Sequence, residues 1–248
     1  TLNGVKVTVP LTDPYQLGRE DTIQYYSVNE SSYEDLVSFG GGSQYFTFSE
    51  GYWKAFADII PERYLSLIHR FEVNGMDKTD YLGMMSTDPG DGERWILTIF
   101  PQPISRHNIP NAIPSLMVHE FAHLVSLHNT QKQKGVSAQN CATLYVYNGC
   151  QAVNSYLDLF NKEFWLSGAN NSQGAFVSQY GSGSVMEDFA ESFTAFVMSN
   201  VVASPPQNTA EAKILFFARY SEFLDMRREI RRNLGSNFAN NRFYWQYG

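Results

Sequence analysis

The residues most able to do chemistry form one short run, His119-Glu120-Phe121-Ala122-His123. On an α-helix, His119 and His123 stand four positions apart, so their imidazoles project side by side. This spacing lets two ring nitrogens reach one ion at the ~2.0–2.1 Å that zinc requires. Glu120 is turned away from the two histidines but can reach a water bound to the same ion. The pattern therefore predicts two metal ligands and a general base.

The residues around the motif favour a buried metal site over a surface helix with two histidines and a stray glutamate. Neighbouring apolar positions are Met117, Val118, Phe121, Ala122, Leu124 and Val125. A helix that is apolar nearly all round should be buried. Two histidines and a carboxylate inside such a helix are costly unless a bound ion satisfies them.

Catalytic zinc commonly has three protein ligands and one open position, so the chain should supply one more ligand. Glu187 is the predicted third ligand. It shares a helix face with Glu191, and like charges at this spacing repel unless a cation lies beside them. Glu191 would accept the N–H of a ligating histidine in the second shell. The alternative is a capping box at residues 184–187, in which Glu187 satisfies backbone amides and binds nothing.

A third histidine, His128, follows the motif closely. The longer motif with a glycine and a third histidine is absent, because position 126 is serine and position 129 is asparagine. On a continuous helix His128 points away from the His119 and His123 pair. We therefore expect it in the second shell or in the wall of a cleft.

The elements that must position these residues are predicted to form two lobes. Residues 1–128 are predicted to be a β-rich lobe that ends in the motif helix, and residues 129–248 a helical lobe that supplies the third ligand. Strands are predicted at residues 5–9, 22–28, 44–48 and 95–100. Helices are predicted from residue 50, from Pro61, and at residues 115–128, 152–166, 185–200 and 209–233. The expected fold class is α+β, with a small mixed sheet and the active-site cleft between the lobes.

Three details of these elements are also predicted. The helix after Pro61 should bury a stripe formed by Tyr64, Leu65, Ile68 and Phe71. An extended peptide could add to the strand at 95–100 by main-chain hydrogen bonds. The four arginines near the end of the last helix, at positions 227, 228, 231 and 232, are interpreted as a solvated helix end that complements the helix dipole.

Length and charge limit the classes of function. A chain of 248 residues can form one large domain or two lobes that share a cleft. Its 18 basic and 25 acidic residues give a net charge of −7, which argues against nucleic-acid binding. No apolar run reaches the ~18 residues needed to span a bilayer. The expected partner is a protein or peptide substrate, and the expected oligomeric state is a monomer.

Cys141 and Cys150 are the only cysteines, and the segment between them reads as a tight loop. A disulfide there would suit an exported protein, whereas two reduced cysteines are the alternative. The chain starts at Thr1 without a cationic, apolar leader, which reads as a mature or trimmed product. Together these features favour a secreted or periplasmic protein.

An HExxH motif followed by a glutamate on a later helix, with an acidic residue one turn further on, resembles the gluzincin metallopeptidases. Tyr180-Gly181 followed by the run from Glu187 to Phe193 is similar to the anthrax lethal-factor group, which includes the secreted Pro-Pro endopeptidases. In that group a tyrosine seven residues before the ligand glutamate reaches the zinc region. The resemblance therefore implies that the Tyr180 phenol stabilises the developing oxyanion. The connection that carries the two cysteines departs from the group, so its substrate preference is not carried over.

Taken together, the residues and the resemblance predict a single zincin-like catalytic domain over residues 1–248. The predicted function is that of a secreted zinc metalloendopeptidase, in which Glu120 acts as general base on zinc-activated water. The alternative is a non-catalytic extracellular binding domain with a structural or degenerate zinc site. Structural zinc sites are usually closed and rich in cysteine, unlike this constellation.

Overall fold

The computed structural model of the chain describes residues 23–28, 36–40, 46–74, 81–88, 93–101, 104, 112–147, 149–199 and 205–235. Within these residues the protein is a helix-rich mixture of α-helices and two small sheets, compatible with the predicted α+β class. The predicted strand at residues 5–9 lies outside the described residues. The chain divides into two compact units, and the main division falls between Glu120 and Phe121.

The first unit contains a five-stranded mixed sheet. Its strands are β1 (Ile23–Val28), β2 (Leu36–Gly40), β3 (Ile68–Asn74), β4 (Gly83–Thr87) and β5 (Trp95–Ile99). The strand order is β2-β1-β3-β5-β4, with β3 and β5 parallel and the other pairs antiparallel. The sheet confirms the strands predicted at residues 22–28 and 95–100.

β5 lies inside the sheet, which corrects the prediction that a peptide could pair with it. β5 pairs with β3 on one side and with β4 on the other, so its main-chain groups are already used. All five of its residues are buried. The strand at this edge of the sheet is instead β4, in which Gly83 pairs with Ile99 and Thr87 with Trp95.

Helix α1 (Phe46–Ile59) overturns the strand predicted at residues 44–48, and it starts before the helix predicted from residue 50. The aromatic residues at its start favour a strand by local propensity alone. Tyr52, Trp53, Phe56 and Ile59 are buried, however, and their spacing is that of one helix face. The ring of Trp53 lies 5.7 Å from that of Phe71 on β3, so tertiary packing decides the outcome.

The helix predicted after Pro61 is also wrong beyond its first turns. A 3-10 helix covers Glu62–Leu67, and the chain then enters β3. Ile68 and Phe71 match a helical stripe by spacing, yet both lie in the strand. Pairing of β3 with β1 and β5 satisfies the main chain of this segment across the sheet, so tertiary pairing overrides the helical spacing of its apolar residues.

The second unit begins within the motif helix, α2 (Ala112–Leu127). Three short strands follow, β6 (Lys132–Gln133), β7 (Tyr145–Val146) and β8 (Gly149–Gln151), in an antiparallel sheet of order β6-β8-β7. A disulfide joins Cys141 and Cys150, which selects the bridged state from the two alternatives for these cysteines. The remaining helices are α3 (Tyr156–Phe160), which continues as a π-helix over Asn161–Leu166, then α4 (Val185–Met198), α5 (Thr209–Phe217) and α6 (Ser221–Leu234).

A cluster of phenylalanine rings forms the core of the second unit. Its fully buried members are Phe160, Phe189, Phe193, Phe216, Phe217 and Phe223. The ring of Phe217 lies 5.0 Å from Phe189, 5.3 Å from Phe193 and 5.2 Å from Phe223. The apolar face of α4 therefore belongs to this core.

The helix predicted at residues 209–233 is two helices, α5 and α6. The amides of residues 218–220 bond to carbonyls three residues earlier, which tightens the chain into a turn. This turn lets both Phe217 and Phe223 enter the same cluster. No glycine or proline marks the break, so local residue types gave no signal for it. No helix in the described ranges combines the length and the apolar character that crossing a membrane requires.

Candidate metal centre

Helix α2 presents the motif as the spacing predicts. Its apolar side chains are buried, and Met117, Val118, Phe121 and Ala122 have no exposed surface. His119, Glu120 and His123 are 6%, 3% and 8% exposed, respectively. Three polar side chains in so apolar an environment need partners that replace water.

Glu187 joins the two histidines. One ligand atom from each of His119, His123 and Glu187 lies within 4.8 Å of the other two. His123 Nε2 lies 3.3 Å from Glu187 Oε2. The structure thus brings together the three residues that the sequence predicts as ligands.

The separation of these donors suits a tetrahedral ion. Two donors held at the His and Glu distances of zinc, 2.0–2.2 Å, lie about 3.3–3.5 Å apart when they subtend a tetrahedral angle. The 3.3 Å between His123 Nε2 and Glu187 Oε2 falls in that range. Two imidazoles and one carboxylate are also a donor set that catalytic zinc uses. The residues therefore fit the ion.

The start of α4 is compatible with both interpretations of Glu187. Ser184 is the N-cap, and its hydroxyl oxygen accepts a hydrogen bond from the backbone N–H of Glu187 at 3.2 Å. The cap thus uses the main chain of Glu187, while its carboxylate reaches His123. Capping and metal binding are compatible, because they involve different groups of one residue.

A buried ion pair holds the first turn of α4, and sequence reasoning missed it. The ammonium of Lys213 on α5 lies 2.6 Å from Asp188 Oδ2, and neither side chain is exposed. Trp165 Nε1 donates to the same carboxylate at 2.8 Å, and the Phe176 ring lies 4.0 Å from the ammonium. Burial raises the pKa of Asp188 against the opposing effect of Lys213, and burial lowers the pKa of Lys213. A lysine between apolar residues of α5 was the available signal.

The second-shell candidate Glu191 lies one turn after Glu187 and is buried. The 3-10 turn Tyr180–Gly183 packs against this part of α4. A Cβ on Gly181 would lie 3.4 Å from Asp188 Cα and 3.5 Å from Glu191 Cβ, so the turn fits closely without overlap. The hydrogen bond from a ligating histidine to Glu191 stays a prediction.

Tyr180 lies in the turn before α4, and His128 lies in the turn after α2. Tyr180 opens the 3-10 turn and is 42% exposed. His128 caps the short turn after α2, and its Nδ1 accepts a hydrogen bond from the backbone N–H of Thr130 at 3.3 Å. The oxyanion role of Tyr180 and the second-shell role of His128 stay predictions.

The far end of α4 is anchored by arginines, which corrects their interpretation as a wholly solvated helix end. Arg227 on α6 donates to the carbonyls of Phe196 and Ser199, both at 2.7 Å. Arg231 donates to the carbonyl of Val197 at 2.9 Å. Burial lowers the pKa of both guanidiniums, and for Arg227 the charge of Arg231 adds to this effect. These cations satisfy the free carbonyls at the end of the helix that carries Glu187.

Comparison of the chain with protein-family models, with curated proteins and with solved structures gave no match. The resemblance to the gluzincins therefore depends on the motif residues and their geometry alone.

Proposed function

We propose that the protein is a secreted zinc metalloendopeptidase with a zincin-like fold of the gluzincin type. The observation that carries the proposal is the group formed by His119, His123 and Glu187, beside the buried carboxylate of Glu120. The disulfide between Cys141 and Cys150 supports the extracellular location, because such bonds persist in oxidising compartments.

In this proposal His119, His123 and Glu187 hold the ion. Zinc bound there would act as a Lewis acid and would lower the pKa of a bound water to about 7. Glu120 takes the proton from the attacking water and returns it to the leaving amine. Tyr180 donates a hydrogen bond to the oxyanion that forms on the peptide carbonyl. Glu191 accepts the free N–H of a ligating histidine and holds its ring in place.

The substrate in this proposal is an extended peptide that pairs with β4. This strand uses one edge to pair with β5, and no strand of the described ranges pairs with its other edge. Strands at a sheet edge bind extended peptides through main-chain hydrogen bonds, which do not read the peptide sequence. Tyr81 and Met84 are 59% and 46% exposed, so apolar side chains of a substrate have contacts available beside this strand.

Hydrolysis of an unfolded protein, with and without a chelator, tests the proposal. We expect the wild type to cleave, and the chelator or Glu120→Gln to stop cleavage. Glu62→Gln removes an exposed carboxylate of the first unit and is the matched control, which should cleave like the wild type. A zinc-loaded wild type that cleaves nothing would favour a binding domain with a non-catalytic zinc site.

A further inference from the structure

Gly83, the first residue of β4, occupies a position where its conformation does not require glycine. It pairs with Ile99 in a regular antiparallel ladder. Among the described residues it is not one of the glycines with positive φ. Glycine in a strand weakens it, because glycine gains no side-chain packing and loses more entropy on folding. Its presence here needs another reason.

The space around Gly83 supplies that reason. A Cβ at this position would lie 2.9 Å from Glu120 Oε1 and 3.2 Å from Glu120 Cδ. It would also lie 3.0 Å from Leu116 Cδ1, one helical turn before Glu120 on α2. A separation of 2.9 Å is shorter than a Cβ tolerates, so any side chain at this position would compete with the Glu120 carboxylate for the same space.

We propose that Gly83 is a positioning residue for Glu120. Its missing side chain lets the carboxylate lie directly against the backbone of β4, at the start of the strand proposed to bind the peptide. The proposal rests on the proposed peptidase function for its kinetic consequence alone. The steric relation between Gly83 and Glu120 can be tested without any activity.

The conflict created by Gly83→Ala should be relieved by Glu120 and not by the backbone. The strand is held by its ladder with β5, whereas the carboxylate is the end of a flexible side chain. The three atoms nearest to the added Cβ belong to Glu120 and Leu116, and none belongs to His119, His123 or Glu187. The variant should therefore displace the carboxylate and leave the metal ligands in place.

The first test is a crystal structure of Gly83→Ala beside one of the wild type, with zinc content measured on both. We expect the Glu120 carboxylate to move away from β4 in the variant, with zinc content unchanged. Gly183→Ala is the matched control, because an added Cβ there meets nothing within 4 Å. It should leave Glu120 where it is. A Gly83→Ala structure in which Glu120 has not moved would overturn the proposal.

The second test measures kcat on one peptide for Gly83→Ala, Glu120→Gln and the double variant. A misplacement of about 1 Å can cost ~10²-fold in rate, so Gly83→Ala should lose about that much. The same substitution should cost nothing further when Glu120 is already replaced by glutamine, because it acts through that carboxylate. Equal losses in both backgrounds would overturn the positioning role. A wild type without activity would end the peptidase proposal, while the crystal structures would still decide whether Gly83 places Glu120.

Discussion

The main chain and the side chain of Glu187 act separately. Its amide bonds to the hydroxyl oxygen of Ser184, and its carboxylate lies 3.3 Å from His123. One residue can therefore both begin α4 and complete a ligand set. Because the two interactions use different groups, each can be removed without the other.

Ser184→Ala should lower stability, whereas Glu187→Gln should lower zinc affinity. Loss of the serine cap should cost ~1 kcal/mol of unfolding free energy and leave zinc binding near wild type. Glu187→Gln keeps the cap but removes a charged ligand, so zinc affinity should fall with little loss of stability in the metal-free protein. Denaturant unfolding and zinc titration of both variants check this. Unchanged zinc affinity in Glu187→Gln would remove it from the ligand set.

Tyr180→Phe tests the role implied by the resemblance. Loss of one oxyanion donor should lower kcat by ~10²–10³-fold, since that is the usual effect of such a donor. Zinc content should not change, because the phenol is not one of the three predicted ligands. Tyr145→Phe, another half-exposed tyrosine, is the control. Full activity in Tyr180→Phe would end the role of that phenol.

At the scale of elements, α4 is held at both ends by charged groups from neighbouring helices. Lys213 of α5 meets Asp188 in the first turn, and Arg227 and Arg231 of α6 meet the last carbonyls. The apolar face between them packs into the phenylalanine cluster. The helix that carries Glu187 is therefore fixed along its whole length.

Lys213→Met should destabilise the protein strongly. It leaves the Asp188 carboxylate buried without its cation, and breaking such a pair typically costs ~3–5 kcal/mol. Lys54→Met removes a lysine from an exposed pair with Asp58 and should cost less than ~1 kcal/mol. Denaturant unfolding of both variants checks the difference. Similar small losses would show that the buried pair contributes no more than a surface pair.

Tyr52 on α1 should make the folded protein less stable at alkaline pH. Burial raises the pKa of Tyr52 from 10.0 to about 12. The folded form binds the Tyr52 proton more tightly than the unfolded form does. The contribution of Tyr52 to the unfolding free energy is therefore full below pH 10 and is lost as the pH rises through 12. That difference in pKa is worth ~3 kcal/mol. The unfolding free energy of Tyr52→Phe, measured between about pH 9 and 12, should decline less steeply than that of the wild type.

At the scale of the whole molecule, metal binding and folding should be linked. The predicted ligands come from α2 and α4, which are far apart in sequence, so the unfolded chain cannot present them together. Zinc at ~100 times its Kd should add ~2.7 kcal/mol to the unfolding free energy. Melting curves with zinc and with chelator check this. An identical Tm under both conditions would contradict a site formed by the folded chain.

The candidate metal site was predictable because each of its two parts is marked by a local pattern. The spacing of His119 and His123 fixes their relation on any helix, and the Ser184 and Glu187 pattern marks where α4 begins. Lys213 and Asp188 lie 25 residues apart, and only the packing of α5 on α4 brings them together. Local patterns gave the wrong result at α1. The residues around Phe46 favour a strand by propensity, but burial of Trp53 and Phe56 on one helix face favours the helix.

The buried ammonium of Lys213 can be used to measure local unfolding of the second unit. This amine has no exposed surface, so a water-soluble acylating reagent cannot reach it while α5 lies on α4. Exposed lysines such as Lys54 would be modified within the same sample and set the intrinsic rate. The ratio of the two rates would give the fraction of time that the helix pair stands open. Acylation of this single side chain thus measures local unfolding beside Glu187 and can be followed by mass spectrometry without an engineered label.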